Sequence, residues 1–87
     1  MPFHSLRDGY LITDHAVNQY ISRHARDSTV LRARSDIQNL FNCLRSKGQT
    51  LKGDRIMISD LAPGIPFVFR ESKVCVTVLP LHPDGIF

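Results

Sequence analysis

Apolar positions change period once, near residue 51, dividing the chain into a helical half and a strand half. In the first half, Ala16, Val17, Tyr20, Ile21 and His24 form one stripe at helical spacing. His15, Gln19 and Arg23 stack along the other at i, i+4 and i+8. The predicted helix starts after Thr13, a good N-cap, carries Asp14 in its first turn and runs to His24 or Arg26. Ile12 is placed to staple onto Val17. A short polar connection leads to a second helix over residues 30–46, whose buried stripe is Leu31, Ile37, Leu40, Phe41 and Leu44. Ser35-x-x-Gln38 has the form of a capping box, which would start that helix at Asp36. The longer helix capped by Thr29 is preferred because Leu31 continues the stripe, and Lys47-Gly48 suits its end.

Alternation then predicts three strands, 54–59, 66–70 and 73–80, with a turn at Pro63-Gly64 and a hairpin through Glu71-Ser72. Closure there sets Phe69 opposite Val74 and Phe67 opposite Val76. With Val78, Ile56 and Ile58, these form the face for the helices to cover. Met57, Val68, Arg70, Lys73, Cys75, Thr77 and Leu79 fall on the other face. Ahead of the helices stand a turn at Asp8-Gly9 and a short strand near 10–12. Residues 81–87 form a tail whose Ile86-Phe87 end is apolar enough to dock on the body or on another subunit. The expected architecture is α+β: two N-terminal helices packed on one face of a three- or four-stranded antiparallel sheet, in a single domain spanning 1–87.

Composition narrows the partners. At 43% hydrophobic and 22% charged residues the chain has the make-up of a folded globular protein. No apolar run spans a bilayer and the N-terminal residues hold no signal-peptide core, so the expectation is a cytoplasmic protein away from membranes. The net charge of +3 is modest, but arginine outnumbers lysine, and four arginines fall between Arg23 and Arg34 against the lone Asp27. Forked guanidinium groups match phosphate oxygens. Cys43 and Cys75 are too few for a zinc site and are expected to be buried, inert thiols.

The chemistry follows largely by exclusion. There is no phosphate-binding glycine loop, no metalloprotease or hydrolase signature, no cofactor motif and no close pair of carboxylates. Two-metal nucleases and glycosidases need such carboxylates. What remains is imidazole and guanidinium chemistry on phosphodiesters. His15 is the candidate acid or base, Arg23 and Arg70 the phosphate holders, and Thr77 a hydrogen-bond donor. Gln19, Arg26, Lys73 and His82 are candidate ligand-binding residues, His82 doubling as a second proton carrier if the tail folds back. His24, on the packing stripe, is expected at the core boundary.

The order H-A-x-x-x-Y-x-x-R on a first helix (His15, Ala16, Tyr20, Arg23), then a second helix and strands ending in V-C-V-T-V-L-P, resembles the RelE/BrnT-like small toxins and their bacterial and phage relatives. These lie within the barnase–EndoU–colicin–RelE fold. The likeness covers about residues 12–80. It implies a RelE-like fold, metal-independent ribonuclease activity and restraint by an antitoxin protein, with Arg70 and Thr77 on matching strands. Gln19 departs from the group, which tends to carry arginine there, and this favours binding over catalysis. Two functions therefore stand: a toxin-type ribonuclease, or a non-catalytic RNA- or nucleotide-binding module. An example of the second is a phage protein that sequesters a host nucleotide immune signal, commonly as a homo-oligomer.

Overall fold

The computed structural model describes residues 3–6, 9–71 and 73–80. Two short strands come first, β1 (Phe3–Ser5) and β2 (Leu11–Thr13), followed by the helices α1 (Asp14–His24) and α2 (Val30–Leu40). Strands β3 (Leu44–Gln49), β4 (Arg55–Ser59), β5 (Ala62–Arg70) and β6 (Val74–Val78) are the remaining strands among the described residues. They form one six-stranded sheet in the order β1-β2-β6-β5-β4-β3. The β2–β6 pair is parallel and the others are antiparallel. The parallel pair arises because β2 enters the sheet beside β6 before the chain leaves through the helices.

The expected three- or four-stranded antiparallel sheet behind two N-terminal helices is therefore incorrect. The sheet is mixed and six-stranded, two strands precede α1, and α2 lies mid-chain. Three local causes account for the difference. First, α2 stops at Leu40 and a 3-10 turn, Phe41–Cys43, hands the chain to β3. Leu40, Phe41 and Leu44 keep helical spacing across that junction, which extended the predicted helix into β3. Strand β3 itself is a polar edge strand, exposed from Arg45 to Gln49, with no apolar alternation to announce it. Second, Leu31 is 75% exposed, so the residue that favoured the longer helix does not extend the core stripe, although Thr29 does cap α2 by accepting from Arg32 N at 3.2 Å. Third, Pro63-Gly64 lies inside β5, where the ladder with β4 is interrupted, and the turn falls at Asp60-Leu61. Proline lacks the ladder donor and is tolerated at such an interruption.

Both helices bury one side onto the sheet. Ala16, Val17 and Tyr20 of α1 and Ala33 and Ile37 of α2 join Ile12, Phe67, Phe69, Cys75 and Val78 in one core cluster. Phe41 meets Phe67 edge-on at 5.0 Å and Tyr10 at 5.2 Å.

The face assignment of β6 also differs from expectation. Observed partners are Phe67 with Val78, Val68 with Thr77, Phe69 with Cys75 and Arg70 with Val74. The register shifts between Val68 and Phe69, leaving Val76 as one extra residue on β6. The β5–β6 connection holds three residues rather than two, and Glu71 takes a positive φ of 63°. Together these turn Cys75 to the helix side and Val74 to the open side. Ile56 pairs with Val68 and so lies on the open side, while Met57 pairs with Phe67 and packs against the core.

Candidate functional site

Thr13 ends β2 and caps α1. Its hydroxyl oxygen accepts from Ala16 N at 3.0 Å and donates to Val76 O at 3.2 Å. One side chain therefore fixes the start of α1 against the bulged residue of β6. His15, exposed in the first turn, is held at the upper end of the open sheet face. There it lines a groove of about 670 Å³ together with Arg70 of β5 and Thr77 of β6. Val68, Val76 and Leu79 make its apolar floor. Three residues chosen from distant parts of the sequence thus share one concave surface. The β6 bulge contributes directly, since both Val76 and Thr77 reach the groove.

The far wall is the β3–β4 loop, which carries Thr50, Leu51, Lys52 and Asp54 into the groove. It is a closed turn: Thr50 N donates to Asp54 O at 2.8 Å, Gly53 N to Thr50 O at 2.9 Å, and Asp54 N to the Thr50 hydroxyl at 3.1 Å. Gly53 at φ 90° supplies the left-handed residue this path requires. The Asp54 carboxylate sits 3.5 Å from the Arg70 guanidinium, with side-chain exposures of 17% and 63%. Asp54 is thus half-sheltered and oriented, while Arg70 keeps most of its surface toward solvent. The groove combines one imidazole, two cations, one carboxylate and three hydroxyls over an aliphatic floor.

Asp54, Lys52 and Thr50 were not among the residues selected from sequence. Asp54 read as the first residue of a strand, and the loop's approach to the site depends on β3, which the helical spacing concealed. A polar run containing Lys52-Gly53-Asp54 is a turn signal, but not a signal of what the turn faces.

Arg23 does not line the groove. Its Nη1 donates to Val78 O at 2.7 Å, and His24 Nε2 donates to Leu79 O at 2.8 Å, so the last turn of α1 holds the end of β6. His24 is half-buried, as its place on the packing stripe implies. Gln19 is half-buried between His15 and Arg23 and lines neither of the open-face grooves. Arg26 lies at the α1–α2 connection, where its Nε donates to Ser22 O at 3.4 Å. Lys73 lies over the Tyr10 ring at 4.2 Å, a cation–π contact beyond the groove's lining. His82, the Asp8-Gly9 turn and the apolar tail end fall wholly or partly outside the described residues.

His4 pairs with Asp14 at 2.5 Å, tying β1 to the start of α1 and directing Asp14 away from the role of partner to His15. The thiols divide. Cys75 is buried, and desolvation pushes its pKa far above the usual 9.0, whereas Cys43 is exposed, contrary to expectation. Cys43 follows the end of α2 and stands outside the helical stripe that would have covered it. Burial, reinforced by Asp36, also raises the Tyr20 phenol above 10.0. Among the described residues, no group of three or more His, Cys, Asp or Glu side chains could hold a metal ion, and no helix is long and apolar enough to cross a membrane.

Comparison with protein-family models, with curated proteins and with solved structures gave no match.

Proposed function

We propose that this protein is a metal-independent ribonuclease whose site is the open-face groove lined by His15, Asp54, Arg70 and Thr77. The observation that carries this is the convergence of His15, Arg70 and Thr77, from a helix turn and two strands, on one groove that also supplies a carboxylate. The second proton carrier expected from sequence, His82, falls outside the described residues, and Asp54 takes that place in the groove. In the reaction, Asp54 accepts the 2′-hydroxyl proton as the O2′–P bond forms. His15 in its imidazolium form gives a proton to the departing O5′ as the P–O5′ bond breaks. One fragment ends in a 2′,3′-cyclic phosphate and the other in a 5′-hydroxyl. Arg70 and Lys52 hold the non-bridging oxygens, and Thr77 donates a hydrogen bond to them. A protein acting in this way would work in the cytoplasm under restraint by an antitoxin.

The test is incubation with total RNA in the presence of EDTA. Fragments ending in 2′,3′-cyclic phosphate, lost in His15→Ala, are expected. A second function, binding without turnover, is favoured by two observations: Arg23 is committed to Val78 O, and Asp54 is held at Arg70. RNA or a cyclic oligonucleotide recovered intact after heating the protein would establish that second function instead.

A further inference from the structure

Arg70 lies where two grooves of the open face meet. Beside the first groove is a second, of about 460 Å³, and the two share Thr13, Arg70 and Val76. Their linings differ in kind. The first holds His15, Lys52, Asp54 and the threonines, whereas the second is built from Phe3, Leu11 and Val74, with Glu71 as its distinguishing polar side chain. We infer that the second groove is a nucleobase subsite, so that the minimal ligand is a dinucleotide straddling Arg70. This rests on the ribonuclease assignment and names the substrate class of that same site.

The physical grounds are charge, size and chemistry. Among the described residues that line it, Arg70 is the second groove's one cation, and Glu71 would repel a second phosphate, so an uncharged, flat, largely apolar group fits best. Its volume lies in the range of ligand-sized clefts. Phe3 is 41% exposed on the edge strand β1 and offers a ring to stack on. Nucleobases stack on such rings whatever their sequence. Leu11 and Val74 lie side by side in the parallel β2–β6 pair and present a flat aliphatic surface beneath. A phosphodiester over Arg70 would then send one nucleoside over the floor of Val68 and Leu79 and the other toward Phe3.

The experiment compares a dinucleotide carrying a 2′-O-methyl group at its first ribose, which blocks cleavage, with the mononucleotide 3′-phosphate of that first residue. Affinities are measured by calorimetry on the wild type, Phe3→Ala, Phe3→Tyr and Arg70→Ala. The dinucleotide is expected to bind roughly ten- to a hundredfold more tightly than the mononucleotide. Phe3→Ala should remove most of that advantage and leave mononucleotide affinity unchanged, whereas Phe3→Tyr should keep it. Arg70→Ala should weaken both ligands. Equal affinity of the two ligands for the wild type would overturn the second subsite while leaving the phosphate site standing. The same holds for a dinucleotide advantage that survives Phe3→Ala. Failure of both ligands to bind would overturn the ribonuclease assignment and this inference with it.

Discussion

His15 and Arg23 show how one helix can divide its polar stripe between two tasks. Two turns apart on α1, they were expected to face one anion. The structure gives His15 to the groove and Arg23 to the carbonyl end of β6. Arg23→Ala should therefore cost about 1 kcal/mol of stability through the lost hydrogen bond, read by urea denaturation, with RNA affinity nearly unchanged. Lys52→Ala should do the reverse, leaving stability alone and weakening RNA binding, by less at high salt. Chemical modification separates the cysteines: a thiol reagent should label Cys43 in the native protein and Cys75 only after unfolding. Burial raises the Cys75 pKa, so above about pH 9 the unfolded chain sheds this proton while the folded chain keeps it. Stability should then fall by up to about 1.4 kcal/mol per pH unit from this group, with Tyr20 adding the same sign above 10.0. In Cys75→Ala the cavity cost is independent of pH, so the slope of stability against pH should flatten even though the baseline drops.

At the scale of elements, Thr13 carries the most. It ends a strand, caps a helix and bonds to the bulge in β6. Thr13→Ala should cost about 1 to 2 kcal/mol by thermal denaturation, from the lost cap and the unpaired Val76 carbonyl. It should also lower activity by loosening His15. The start of α1 was legible because a cap, an acidic first turn and an apolar stripe all agree there. The end of α2 was not. Leu40, Phe41 and Leu44 satisfy helical spacing while serving a helix end, a 3-10 turn and a strand in succession. The bulge at Val76 was equally hidden, since alternation along β6 reads the same with or without one extra residue until its partner strand is known. That one-residue difference decides whether Cys75 or Val74 faces the helices.

On the scale of the whole molecule, the sheet leaves one face to the helices and keeps the other open, and the residues of the proposed site gather on the open side. The α+β composition followed from the change of period near residue 51. The six-strand order did not, because β1, β2 and β3 are short or polar and a parallel β2–β6 pair has no local signature. The site was half legible for the same reason. His15, Arg70 and Thr77 stand out by residue type on predicted elements. Asp54 and Lys52 join them only because β3 and β4 fold their connecting loop over the open face.

The most direct measurement is end-group analysis of RNA incubated with the protein in EDTA, for wild type, His15→Ala and Asp54→Asn. Cleavage products with 2′,3′-cyclic phosphate and 5′-hydroxyl ends are expected from the wild type, with the rate falling roughly a hundred- to ten-thousandfold in each variant. RNA left uncut by the wild type, or cut equally well by His15→Ala, would contradict the assignment.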